Sequence, residues 1–164
     1  MNAHPDAEAT YARLLQAVRE GIAGRDVSLI GIHSGGAWIA ERLHRDLGLA
    51  RPLGTLSSAF HRDDYGRRGL PVEMKATDLP FDVNGADIVL VDDILFTGRT
   101  VRAAMNELFD YGRPARIELA VLLDRGGREL PIEARYCGAI HPLAPPRNFA
   151  LGRTGDGRFT LRIE

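Results

Sequence analysis

The chain has 164 residues, 45% apolar and 26% charged, with a formal net charge of −1. That is the balance of an ordinary globular domain, not of a disordered, fibrous or membrane-embedded chain. A net charge so near zero gives no global pull toward nucleic acid or a membrane surface. The single cysteine, Cys137, excludes an internal disulfide and fits a reducing cytoplasm. Met1 to Glu8 is polar and acidic, with no apolar signal core. No apolar run nears the roughly 20 residues of a membrane span. With no repeat or linker in view, residues 1–164 are expected to form one domain.

Tyr11, Leu14, Leu15, Val18 and Ile22 recur at helical spacing and predict an opening amphipathic helix, ended by Gly21 and Gly24. Val27 to Ile32 reads as a buried strand running into the tight loop His33-Ser34-Gly35-Gly36. Ile39, Leu43 and Leu47 mark a second helix closing near Gly48. Leu53 to Phe60 is strand-like, and the charged, glycine-bearing stretch from Arg62 to Gly69 predicts a surface loop before a return strand over Val72 to Ala76. Ile88-Val89-Leu90-Val91 is continuously apolar and β-branched, as a parallel strand buried on both faces should be. Val101, Met105 and Leu108 share a helix face that ends at Gly112-Arg113-Pro114, and Ile117 to Leu123 is the next buried strand. Short strands are expected around Ala134 to Cys137. Phe149 to Leu151 and Phe159 to Ile163 form a hairpin with Asp156-Gly157 as its turn.

Strand and helix alternate from residue 11 to 123, which argues for a three-layer α/β fold with a central parallel sheet. Ligands in such sheets bind beyond the carboxyl ends of the strands. The search for chemistry therefore starts at the junctions near residues 33, 92 and 124.

At the second junction, Asp92-Asp93 closes a buried strand, and Ile94-Leu95-Phe96 leads into Thr97-Gly98-Arg99-Thr100 at a helix start. Unpaired N–H groups and the positive dipole end make a helix N-terminus an anion site. Gly98 lets the backbone approach closely, and Thr97 and Thr100 add hydroxyl donors. A phosphate monoester fits that turn. Asp92 and Asp93, about one ribose ring away, can accept hydrogen bonds from a sugar diol or attract Mg2+ shared with a pyrophosphate. The bland alternative is a strand capped by acids followed by an ordinary capped helix. The complete string disfavours it.

The string resembles the phosphoribosyl pyrophosphate (PRPP) motif of type I phosphoribosyltransferases. That resemblance implies their fold: a mainly parallel sheet flanked by helices, a small hood and a flexible active-site loop. It assigns the ribose hydroxyls and Mg2+ to Asp92 and Asp93, and the 5-phosphate to Thr97, Gly98, Arg99 and Thr100. Purine-specific members carry an acid where this chain has Phe96, so the sequence points to a pyrimidine.

Two stretches, Thr97 to Met105 and Leu123 to Ile132, are similar to the PyrR family of bifunctional pyrimidine-operon regulators and uracil phosphoribosyltransferases. The similarity implies that uracil and PRPP give UMP and pyrophosphate with Mg2+, in a homodimer or larger assembly. By the same likeness His33, Ser34, Gly35 and Gly36 form the pyrophosphate loop, in which a non-proline cis peptide is expected at Ile32-His33 or His33-Ser34. Arg62, Asp63 and Asp64 belong to a flexible catalytic loop, and Arg125 and Cys137 to the base pocket. From its residue type alone, Cys137 is a packing residue rather than a nucleophile. PyrR proteins usually place Lys or Arg in the pyrophosphate loop. This chain has His33 and Gly35, which favours an alternative to the enzyme: a regulator that binds pyrimidine-operon leader RNA with little or no catalysis. A third alternative is a phosphoribosyltransferase for another base such as xanthine.

Overall fold

The computed structural model describes residues 5–57 and 76–164. Its elements are α1 (Ala7–Gly21), β1 (Val27–Ile32), α2 (Gly35–Leu47), β2 (Gly54–Leu56), β3 (Asp87–Leu95), α3 (Arg99–Tyr111), β4 (Arg116–Asp124), β5 (Tyr136–Ile140), β6 (Phe149–Arg153) and β7 (Phe159–Ile163).

Five strands form one sheet in the order β2-β1-β3-β4-β5, and every pairing within it is parallel. Successive side chains of a strand point to opposite faces, so the apolar run of β3 serves two cores. Val89 and Val91 meet Leu14, Val18, Ile39 and Leu43 from α1 and α2. Ile88 and Leu90 meet Val101, Ala104 and Leu108 from α3. This is the reason the run is continuous rather than alternating. α1 starts on Asp6, whose carboxylate accepts from the Ala9 amide at 2.8 Å, and α2 stops on Gly48 in the left-handed region.

Three expectations need correction. β3 does not stop at Val91. It continues through Leu95, because Asp92, Ile94 and Leu95 keep pairing with Val121, Leu123 and Asp124 of β4. Carboxylates at a strand end leave the backbone ladder intact. The strand expected around Ala134 begins two residues later, at Tyr136, where pairing with Ala120 starts. Ile132 and Ala134 pack instead against the α3 core. β2 is only three residues long, and residues 58–75, with the return strand, lie almost wholly or entirely outside the described residues.

The β6–β7 hairpin is antiparallel and pairs Phe149 with Ile163 and Arg153 with Phe159. Phe149 and Ile163 meet Leu123, Ile94 and Leu143. This end of the hairpin and the 141–148 segment thus form the hood at the carboxyl ends of the central strands, whereas Phe159 and Leu161 pack against α1 and α2. At the opposite, amino end of the sheet, Arg25 donates to Asp87 at 2.7 and 3.0 Å and lies 2.8 Å from Glu118. Tyr136 donates to the same Glu118 at 3.0 Å.

Candidate active site

Parallel register carries every β-to-loop junction to one edge of the sheet. Gly31 pairs with Val91, Leu95 with Asp124, and Asp124 with Ile140. The loops at 33–36, 96–100, 125–132 and 141–148 therefore surround one site.

The acid pair lies at its centre. Asp92 is 4% exposed. Its Oδ1 accepts from the Asp93 amide at 2.9 Å, and Asp93 Oδ1 accepts from the Ile94 amide at 2.8 Å. These bonds fix both carboxylates to the strand. The 33–36 loop presses on them from the β1 side. A β-carbon on Gly36 would lie 2.5 Å from the Val91 carbonyl oxygen and 2.9 Å from Asp92 Cα, and one on Gly35 would overlap the Asp93 carboxylate. Only glycine permits that approach. α2 begins at Gly35, so its N-terminal amides and dipole face the acids. The His33-Ser34 peptide is cis, as the family likeness leads one to expect.

The cap of the second helix, Gly98, lies three residues beyond Leu95. Gly98 caps α3 at φ 94°, a left-handed conformation in which a β-carbon is strained. Thr97 is 7% exposed, and its hydroxyl accepts from the Arg99 amide at 3.1 Å. Residues 124–132 form the wall behind this turn. Glu129 and Leu130 donate their amides to the Thr97 carbonyl at 2.9 and 3.1 Å. Arg128 donates to the Phe96 carbonyl at 2.6 Å and to Asp124 at 2.7 Å. Arg99 pairs with Glu129 at 3.0 Å on the surface.

Sequence reasoning missed this wall. The similarity of Leu123 to Ile132 was legible, but only the fold shows Arg128, Glu129 and Leu130 holding the turn rather than facing a ligand. Arg125 is buried. It donates to Asn148, to the Leu143 carbonyl and to the Arg147 carbonyl at 2.9, 2.7 and 3.0 Å, and it lies 3.9 Å above the Phe96 ring. Cys137 is half-buried on β5, among Ile132, Ala134 and the α3 core. Its thiol donates to the Ala139 carbonyl at 3.1 Å, and burial pushes its pKa up. A thiol held protonated is a poor nucleophile. The structure thus brings 33–36 against Asp92-Asp93, and 125–132 against 96–98. Cys137, on β5, packs with Ile132 and Ala134 beside that wall, near Asp124 and Arg128. Arg62, Asp63 and Asp64 lie outside the described residues.

Two helix N-termini flanking a carboxylate pair make an edge that can take a ligand with two separated anionic groups and a diol between them. No helix among the described residues is long and apolar enough to cross a membrane.

Known proteins resemble this chain in sequence and in fold. The phosphoribosyl transferase domain family matches residues 1–141. A bifunctional protein PyrR of Ralstonia nicotianae is 53% identical over 165 residues, covering 97% of this chain and 94% of that one. Another, from Nitrosococcus oceani, is 53% identical over 137 residues, covering 82% of this chain and 77% of that one. Among solved structures, a hypoxanthine-guanine phosphoribosyltransferase of Bacillus anthracis superposes with a TM-score of 0.63 at 19% identity, covering 85% of this chain and 84% of that chain. A hypoxanthine phosphoribosyltransferase of Trypanosoma cruzi gives 0.62 at 22%, covering 85% and 77%. At such identities the structures speak for the fold alone. By its domain and its near-full-length relatives, the chain belongs to the phosphoribosyl transferase domain family and, within it, to the PyrR group.

Proposed function

We propose that the chain is a uracil phosphoribosyltransferase that joins uracil to the anomeric carbon of PRPP, giving UMP and pyrophosphate. The observation that carries this reading is the convergence of the α2 and α3 N-termini on Asp92-Asp93. The 5-phosphate sits at the amides of residues 97–100, the pyrophosphate at those of residues 33–36, and the ribose diol on the acid pair between them. The C1–O bond to pyrophosphate breaks and the C1–N1 bond to uracil forms as positive charge develops on the ribose, and the N1 proton leaves to the departing pyrophosphate or to solvent. An acid pair beside the ribose, Asp92 of it buried, lowers the energy of that charge, and the fixed loops hold the reactants in line. In this reading Arg62, Asp63 and Asp64 close over the site and exclude water. Phe96 supplies no proton donor or acceptor where purine enzymes carry an acid, which favours a pyrimidine.

Mg2+ fits the donor set. Asp92 and Asp93 offer hard oxygens, and no cluster of three or more potential ligands occurs among the described residues, so the ion would be shared with PRPP. When bound, it neutralises the charge of the leaving pyrophosphate.

A second reading rests on the pyrophosphate loop, in which His33 and Gly35 stand where Lys or Arg is usual. It makes the chain a UMP-responsive regulator that binds leader RNA with little catalysis. Arg147, Arg153 and Arg158, exposed in and before the hairpin, supply cations for a phosphate backbone. In either reading we place the chain in the cytoplasm as a homodimer or larger assembly, with exposed Phe109, Tyr111 and Ile140 as candidate contacts. A spectrophotometric assay with PRPP, Mg2+ and uracil tests the enzyme. UMP formation well above a blank is the expected result. A blank rate, together with UMP-dependent RNA retention, gives the regulator; turnover of xanthine but not uracil gives the third alternative.

A further inference from the structure

Arg125 is 3% exposed, yet it forms no ion pair among the described residues. A buried guanidinium without a carboxylate is costly and persists only where other groups compensate it. The Leu143 and Arg147 carbonyls, the Asn148 side chain and the face of Phe96 do so here. The backbone of Arg125 is equally committed. Its amide donates to the Leu95 carbonyl at 3.0 Å, and its carbonyl accepts from the Leu143 amide at 3.2 Å. Among the described residues only Nε has no partner.

These contacts tie two parts of the site. On one side are Leu95 and Phe96, the residues directly before the phosphate turn. On the other is the hood segment 143–148. The Phe96 ring is packed between the Arg125 guanidinium and the backbone at Gly127, where a β-carbon would lie 2.9 Å from Cδ1. The Phe96 carbonyl is pinned by Arg128 at 2.6 Å. A ring so confined fixes the direction in which the chain enters Thr97, and so the direction in which the α3 amides point.

We infer that Arg125 is a positioning residue: through its stack on Phe96 it sets the phosphate turn and couples that turn to the hood, rather than reading the base itself. The inference rests on the PRPP-binding reading but not on the identity of the base. Its primary readout is therefore PRPP affinity with no base present.

Titration calorimetry with PRPP and Mg2+ on the full chain compares wild type with Arg125→Met, Arg125→Lys, Phe96→Leu and Phe96→Tyr. Loss of the stack leaves the phosphate turn to be ordered on binding, and an ordering cost of about 1.4 kcal/mol lowers PRPP affinity about tenfold. That loss is expected for Arg125→Met and Phe96→Leu, whereas Phe96→Tyr, which keeps the ring, restores wild-type binding. The double variant Arg125→Met/Phe96→Leu should be no weaker than either single one, because both break one link. In turnover, KM for PRPP should rise while KM for uracil stays within about threefold. If Arg125→Met does not fold, Arg125→Lys and Phe96→Leu decide by the same readout. Unchanged PRPP affinity in the folded variants, additive losses, or a rise confined to KM for uracil would overturn the inference. Wild-type protein that binds no PRPP would instead sink the function proposed above.

Discussion

Gly35 lies directly against the Asp93 carboxylate, so closely that a β-carbon on the glycine would overlap it. The start of α2 and the end of β3 are thus mutually fitted surfaces, with no room between them even for a methyl group. Gly35→Ala must push Asp93 off its bond to the Ile94 amide or displace the helix start. We expect PRPP affinity to fall at least tenfold, about 1.4 kcal/mol, with the urea midpoint changed little. Gly155→Ala, at a position with open space around it, serves as the control. Calorimetry showing the two variants equal to wild type would refute the fit.

Asp93→Asn and Thr100→Ala each remove one proposed ligand contact without touching the core. Both should lower PRPP affinity by about 1–3 kcal/mol while leaving urea unfolding nearly unchanged. Gly98→Val should be worse in both respects. It forces a β-branched residue to φ 94° and brings its β-carbon to 3.0 Å from Ile132. The ranking by calorimetry and unfolding checks the assignment: a valine variant no worse than Thr100→Ala would mean that the turn is not tight.

The parallel core and the acid–phosphate string were legible because each depends on local pattern. The β-branched run 88–91 can only be doubly buried, and Gly98 before Thr100 can only open a helix cheaply. What was not legible depends on contacts distant in sequence. Nothing in Asp124-Arg125-Gly126 says that the arginine turns toward Phe96 and Asn148, 29 residues before it and 23 after it in the chain. Nor does Arg128 announce that it donates to the Phe96 carbonyl. The end of β3 was misplaced for a related reason: two carboxylates read as a stop, whereas the neighbouring strand β4 carries the ladder on to Leu95.

Arg25, Asp87, Glu118 and Tyr136 join α1's exit to the amino ends of β3, β4 and β5, at the sheet edge opposite the site. The side chains of Arg25, Asp87 and Glu118 are 20, 22 and 13% exposed, so breaking the network leaves Asp87 without this cation and Glu118 with only the exposed Arg135, at 3.6 Å. Arg25→Met should destabilise by about 2–4 kcal/mol in urea, with PRPP affinity per folded molecule unchanged. An equal loss of affinity would show that the two ends of the sheet are coupled.

Acid should loosen the packing of α1 on α2 and β7 through one carboxylate. Glu8 is held by a bidentate pair to Arg42 at 2.7 and 2.8 Å and by the Phe159 amide at 2.8 Å. Chiefly through the Arg42 bond, its pKa falls from 4.5 to about 2. The group is more acidic folded than unfolded, so its stabilisation is complete above about pH 4.5 and disappears as pH falls through about 2. Its side chain is 23% exposed, and screening leaves on the order of 1–3 kcal/mol. Glu8→Gln should therefore be less stable than wild type at pH 7 by that amount, and the two urea curves should converge as pH approaches 2. Arg42 also lies 4.1 Å above the Tyr11 ring and 5.1 Å from that of Phe159, contacts that carry no proton and persist in acid. A gap between the curves that stays constant from pH 7 to pH 2 would mean that the stabilisation does not come from the ionised Glu8 carboxylate.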